Sequence, residues 1–398
     1  MICFNDYTII QKTLYFKCFT KVGENMSRAA VICEFNPFHN GHKFLLENIK
    51  RDHADRIVCI MSGAFVQRGD IAVTDKYVRT AAALDNGADI VIELPTVYAV
   101  SSARVFAENG VRLAAAMGCD KLCFGAESGI AELSELAALL DSEEVNERIA
   151  GYMSEGCYYP KALSLAVGAD YEGVISLPNN ILALEYIRVC RAHGIEPVAL
   201  PRKGVNHDDA RVSGEIASAS RIRELMLSGG DYARFTPMKP EKPCALSAIE
   251  AAILFRLKTI SPGELAGIAE VDEGLEHRII EAARRYNSLE EILSAIKTKR
   301  YTMARLRRIA IQALLSITAE MQKTPVPYLR VLGMKRGSED ALKGAGLPLI
   351  IKTKADYEGL DNSAKEIFSV DLRAAEAMNI ALGGESVNEF ARKVIKTF

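Results

Sequence analysis

The chain has 398 residues, 49% of them apolar and 25% charged, enough for more than one core and with the balance of a globular protein. Its 49 basic and 51 acidic side chains nearly cancel, which excludes a strongly cationic nucleic-acid binder and an acidic tail, so any RNA contact has to come from a local patch. No run approaches the roughly 18 consecutive apolar residues of a membrane helix, and nine cysteines scattered through apolar segments fit a reducing cytoplasm rather than a disulfide framework.

Residues 1–25 mix Lys12, Lys17 and Lys21 with aromatics and lack the apolar core of a secretory signal, so they read as an N-terminal extension ahead of a start at Met26. From Ala29 onward, apolar runs of strand length alternate with helix-period segments. The pattern predicts strands over 29–35, 56–61, 89–94, 121–124 and 196–200. Between them it predicts helices such as 76–86, stopped by Gly87, and 181–193, stopped by Gly194. Such alternation specifies an α/β fold with a doubly wound, mostly parallel, Rossmann-like sheet. Cys119 and Cys123 form a close pair but run into a predicted strand, so they read as core residues and no metal site is expected.

Three prolines within 236–243 mark a linker, which gives a first unit over 26–236 and a mainly helical region over 244–398. In that region the apolar period predicts helices at about 247–258, 275–286, 288–296 and 304–320, followed by mixed short elements from 325.

Ligands of open α/β sheets collect outside the carboxyl ends of the strands. The first predicted strand runs into Asn36-Pro37-Phe38-His39-Asn40-Gly41-His42, the second into Ser62-Gly63, the fourth into Gly125-Ala126-Glu127 and the fifth into Pro201-Arg202-Lys203-Gly204. A tight glycine turn that opens a helix offers backbone N–H groups and a positive dipole end to phosphate oxygens. His39 and His42 add two donors, and Gly41 allows close approach. Ser218 and Ser220 open a second helical pattern, and with Arg223 they are placed to hold β- and γ-phosphates. Cations available to a triphosphate are Arg68, Lys76, Arg79 and Arg202, while Asp70 and Asp75 are candidates to orient Mg²⁺ through water. His207, beside Asp208 and Asp209, is a weaker candidate for substrate contact.

Between Lys297 and Arg308 stand Lys297, Lys299, Arg300, Arg305, Arg307 and Arg308 with no acid among them, and Tyr301 is interleaved as a possible stacking face. In a chain otherwise balanced in charge, this run is the expected contact for an RNA backbone.

The His39–His42 motif, taken with the 218–223 segment, resembles the nucleotidyltransferases of the class I aminoacyl-tRNA synthetase and pantetheine-phosphate adenylyltransferase type. More narrowly, Glu34-Phe35-Asn36-Pro37-Phe38-His39-Asn40-Gly41-His42, Met61-Ser62-Gly63, Phe65-Val66-Gln67-Arg68-Gly69, Glu93-Leu94-Pro95, Phe124-Gly125 and Pro178-Asn179-Asn180 resemble the tRNA(Met) cytidine acetate ligase family. The likeness runs from about Ala29 nearly to the C-terminus. It implies activation of acetate by ATP as acetyl-adenylate, then transfer of the acetyl group to N4 of the wobble cytidine of elongator tRNA(Met). It also implies that ATP contacts Ile32, Cys33, Glu34, Phe35, Asn36, Pro37, Phe38, His39, Asn40, Gly41, His42, Lys43, Phe44 and Leu45, together with Gly125, Asn179 and Arg202. Tyr77 and Ala64 depart from the family pattern, where Trp and Asn are usual. Two other readings share part of these features. A small-molecule adenylyltransferase would need no RNA patch, and a non-catalytic RNA-binding protein would consume no ATP.

Overall fold

The computed structural model describes residues 26–157, 159–201, 214–240, 242–272 and 274–398. The expected extension 1–25, Arg202 and the His207-Asp208-Asp209 cluster lie outside the described residues.

The first strand, β1 (Arg28–Cys33), pairs in parallel with β2 (Arg56–Ser62), whose seven residues are all buried, as a strand covered on both faces requires. A short antiparallel hairpin, β3 (Phe65–Val66) with β4 (Asp70–Ile71), follows β2. Then come β5 (Ile90–Leu94), β6 (Lys121–Ala126) and β7 (Glu196–Pro201). The crossovers are helical: α1 (Asn40–Asp52), α2 (Lys76–Asp85), α3 (Ala103–Ala116) and α4 (Pro178–His193), the last closed by Gly194 in the left-handed region at φ 66°. Helix α5 (Ala219–Ser228) comes after β7, and α6 (Met303–Leu315) and α7 (Asn362–Leu382) lie in the C-terminal region.

Three strands of that C-terminal region, β8 (Leu329–Lys335), β9 (Leu349–Ile350) and β10 (Ile395–Thr397), complete a sheet of order β10-β8-β5-β2-β1-β6-β7, with β9 on β8. Strand β8 runs antiparallel to β5 and the other pairings in this sheet are parallel. The alternating sequence supports the doubly wound fold class, and the structure has it. Patterning did not reveal that residues 329–335 join the edge of that sheet, because the join is a long-range packing event. A Cβ on Gly333 would lie 2.6 Å from Thr80 Cγ2 and 2.8 Å from Leu84 Cδ1, so β8 meets α2 through a residue without a side chain.

Two expected boundaries move for local reasons. The first strand stops at Cys33 rather than 35, because Phe35 takes a positive φ of 46° and turns the chain out of the sheet. The helix expected over 304–320 breaks at Ser316, φ 52°, where Ile317 N–H returns to Gln312 O at 2.8 Å, and a short helix Ala319–Lys323 follows.

Apolar side chains fill both faces of the sheet. One cluster joins Val58, Ile60, Ile90, Ile92, Leu122 and the helical region, and a second packs Phe35, Phe38, Leu46, Ile49 and Met61 beneath α1. Cys119 and Cys123 are buried, as core cysteines.

Candidate active site

Strand order reverses direction at β1. Its neighbour on one side leads through β2 to β5, and on the other through β6 to β7. The chain that leaves β1 at this switch point is the 34–42 loop, where such sheets place their ligands.

The loop is held from several sides. The half-buried Glu34 carboxylate accepts from Gln67 N–H at 2.9 Å, and Asn36 Oδ1 accepts from Val73 N–H at 2.7 Å. The Asn36–Pro37 peptide is cis. Phe35 and Phe38 meet edge to face, centroids 4.9 Å apart, beneath the His42 ring. The segment read as a linker packs against this loop: Thr236 Oγ1 donates to Phe38 O at 2.5 Å and Phe38 N–H donates to Met238 Sδ at 3.1 Å, while Asn40 N–H donates to the O of Phe235, just before that segment, at 2.9 Å. Sequence reasoning missed that role, since three prolines signal an irregular segment and not what it lies on.

His39 is the N-cap of α1. Its Nδ1 accepts from Gly41 N–H at 3.1 Å, and His42 Nδ1 accepts from His39 N–H at 3.2 Å, a reciprocal capping box built from two imidazoles. A ring nitrogen that accepts a backbone hydrogen bond carries no proton, so in each neutral ring the proton sits on Nε2, which is thereby a donor. The rings stack with centroids 3.7 Å apart and planes at 18°. Gly41 is required by this geometry, since a Cβ there would lie 2.9 Å from His39 Cε1. Within α1, Lys43, Phe44 and Leu45 continue the first turns.

Helix α5 begins beside the loop. Ser218 caps it by accepting from Arg221 N–H at 3.2 Å, while Arg223 donates to Asn36 O at 2.7 Å and to Ser220 Oγ at 3.2 Å. Arg223 thereby joins the start of α5 to the histidine loop, with Ser220 on the same guanidinium. Burial pushes the Glu34 carboxyl up, and the Gln67 N–H, Arg68, Arg223 and Arg79 oppose that shift, which places Arg68 and Arg223 in one electrostatic cluster with it. Arg68 itself is exposed at the β3–β4 turn. On the other side of β1, Gly125 is the penultimate residue of β6, and Asn179 at the start of α4 donates to Glu127 Oε1. Asn180 accepts from the Glu127 and Ser128 N–H groups at 3.1 and 3.2 Å, which fixes that turn.

Lys76 is not brought to the histidine loop's hydrogen-bond network. Its ammonium lies 2.7 Å from Glu93 and 2.7 Å from Glu389, in a buried network completed by Arg330. Burial and Arg330 press its pKa down, and Glu93 and Glu389 outweigh them and raise it. Asp75 caps α2 through Tyr77 N–H and pairs with Arg392 at 2.8 Å, so it does not fit a Mg²⁺ role. Among the described residues, no group of three or more His, Cys, Asp or Glu is arranged to hold a metal ion.

The basic run divides. Arg308 makes a two-pronged pair with Glu270, at 2.7 and 2.6 Å, and Arg305 donates to Glu270 O and lies 2.7 Å from Asp272; both therefore fasten the turn at Glu270, φ 61°. Lys297, Lys299 and Arg300 are exposed. Tyr301, read as a stacking face, is buried, with Arg278 and Arg305 guanidiniums 5.5 and 5.4 Å from its ring centre, so it has no open face to offer a base. Helix α6 abuts the Arg68 hairpin: a Cβ on Gly69, φ 76°, would lie 2.7 Å from Arg307 Cβ. No helix of the described residues is long and apolar enough to cross a membrane.

A mostly parallel sheet with a doubly capped histidine turn at its switch point and a serine- and arginine-bearing helix beside it defines the nucleotidyl-transfer class, and a family model described as HIGH Nucleotidyl Transferase matches residues 26–392. The chain is 34% identical over 393 residues to the tRNA(Met) cytidine acetate ligase of Thermoanaerobacter sp. (strain X514), covering 90% of this chain and 98% of that protein. It is also 34% identical over 385 residues to the protein of that name from Bacillus subtilis (strain 168), covering 87% and 93%. The crystal structure of Thermotoga maritima TmcAL bound with alpha-thio ATP superposes with a TM-score of 0.83 at 26% identity, over 94% of this chain and 100% of that one. The chain belongs to the tRNA(Met) cytidine acetate ligase family.

Proposed function

We propose that this protein uses ATP to activate acetate as acetyl-adenylate and transfers the acetyl group to N4 of the wobble cytidine of elongator tRNA(Met). The observation that carries the reading is the pair of Nδ1-capped histidines at the start of α1, whose Nε2–H groups are fixed donors beside Arg223. Acetate is itself the nucleophile toward the α-phosphorus, so the site has to neutralise triphosphate charge and align the reactants rather than supply a nucleophilic side chain. In this reading His39 and His42 stabilise charge on the phosphates. Ser218, Ser220, Arg223 and Arg68 hold the pyrophosphate that leaves, and Gly125 and Asn179 face the nucleoside. Mg²⁺ enters as the counter-ion of ATP.

The exposed part of the basic run, Lys297, Lys299, Arg300 and Arg307, is the proposed tRNA surface, with Arg305 and Arg308 shaping it from below. Residues 26–236 are proposed as the catalytic unit and 244–398 as the region that presents tRNA to it. The decisive measurement is ATP–pyrophosphate exchange with purified protein, followed by transfer of labelled acetate to tRNA. Exchange that requires acetate, with label appearing in tRNA, supports the reading. Exchange that ignores acetate sinks it in favour of a small-molecule adenylyltransferase.

A further inference from the structure

Arg79 is wholly buried behind the loop, and each hydrogen bond that the structure gives its guanidinium runs to a backbone carbonyl. Nη1 donates to Glu34 O at 2.7 Å and to Ser62 O at 3.0 Å, Nη2 donates to Gly63 O, and Nε donates to Thr74 O at 3.3 Å. These oxygens belong to the carboxyl ends of β1 and β2 and to the segment entering α2. One side chain therefore ties together the three chain segments that frame the site.

A cation removed from water is costly unless its donors are satisfied, and a charged partner normally supplies part of the compensation. Here the planar fork is matched by carbonyl dipoles instead. Burial lowers the guanidinium pKa to about 10, opposed by Asp75, Cys33, Glu93 and Glu34, so it is charged at neutral pH. The points it holds are those where a small displacement reaches the chemistry. Glu34 O is one residue before the positive-φ turn at Phe35, which sets the direction of Asn36 and the His39 cap. Gly63 is wedged against Glu93 Oε1, with no room for a side chain.

We propose that Arg79 is a positioning residue of this site: by clamping the carbonyls of Glu34, Ser62, Gly63 and Thr74 it fixes the register of the β1–α1 turn, so that the His39 and His42 donors meet the triphosphate. The proposal rests on the ATP-activation reading above. Arg79→Lys keeps the charge and loses the fork, and Arg79→Gln keeps two donors and loses the charge. For each variant, thermal melting gives the folded fraction, filter binding gives tRNA affinity, and ATP–pyrophosphate exchange gives kcat and the KM for ATP.

The expected result for folded Arg79→Lys is unchanged tRNA affinity and a kcat per folded molecule lower by roughly 10²-fold, the scale of a catalytic group misplaced by about 1 Å, with KM for ATP changed far less. Guanidinium ion added to Arg79→Ala is expected to restore part of kcat. Wild-type kcat per folded molecule in Arg79→Lys or Arg79→Gln overturns the proposal, as does failure of every variant to fold, which would make Arg79 a folding determinant only. A wild-type protein without acetate-dependent exchange counts against the functional reading instead, and leaves a distinct signature because it is read before any variant is made.

Discussion

At the start of α1 the His39 ring accepts a backbone hydrogen bond through Nδ1 and thereby holds its proton on Nε2, so under the proposed function one side chain serves both helix stability and phosphate binding. The two roles separate by substitution. His39→Ala should lower exchange by roughly 10²-fold, as loss of a transition-state donor does, and should also cost about 1 kcal/mol of stability, as loss of an N-cap does. His39→Asn should recover the cap and the melting temperature without recovering the rate, and equal recovery of both would remove the donor role. His42→Ala should lose rate on the same scale. The histidine pair was legible from sequence because its chemistry is local, four residues across one turn.

Between elements, the Lys76–Glu93–Arg330–Glu389 network joins α2, β5, β8 and the chain just before β10. Burial presses the Glu389 carboxyl up, but Lys76 and Arg330 overcome it and hold it down at about 2, against 4.5 when unperturbed. A depressed carboxylate contributes stability that is complete above its unfolded pKa and is lost as pH falls through the folded one. Glu389→Gln should therefore destabilise the protein by about 3 kcal/mol at neutral pH, the scale of a broken buried pair. The deficit against wild type should narrow as pH falls from 4.5 towards 2. Asp371 has the opposite sign: burial, reinforced by Glu93, raises its pKa from 3.8 to about 6. Its favourable contribution is lost as pH rises through that range, so Asp371→Asn should gain stability relative to wild type between pH 4 and 7. Melting curves across pH test both. Lys76 was legible as a cation at a helix start. Its partners, 17 and 313 residues away in the chain, were not.

For the whole molecule, the sheet sets β8 beside β5, and α6 lies against the Arg68 hairpin, so the basic run borders the proposed nucleotide site rather than hanging on a remote domain. Exposed and internal arginines should then behave differently. Arg307→Ala or Lys299→Ala should weaken tRNA binding and reduce its salt dependence by about one unit of slope per lost phosphate contact, with acetate-dependent exchange unchanged. Arg308→Ala should instead lower the melting temperature, since it leaves the half-buried Glu270 without its guanidinium. Binding isotherms at several salt concentrations, beside melting curves, separate the two classes.

The chain order of β1, β2, β5, β6 and β7 and of the helices between them, the loop that begins the site and the helix cap at Ser218 are all written in short stretches of sequence, because apolar period, glycine stops and capping residues act within one or two turns. Short-range pattern thus carries the fold class and points to the kind of chemistry proposed for the 34–42 loop. Long-range packing sets which charges face outward and which are consumed inside. It turned Arg305 and Arg308 to Glu270, Tyr301 into the core, Lys76 to a buried pair of glutamates and the proline segment onto Phe38. Each of those outcomes depends on a partner far along the chain, and composition or periodicity carries no information about which distant group a charge will meet.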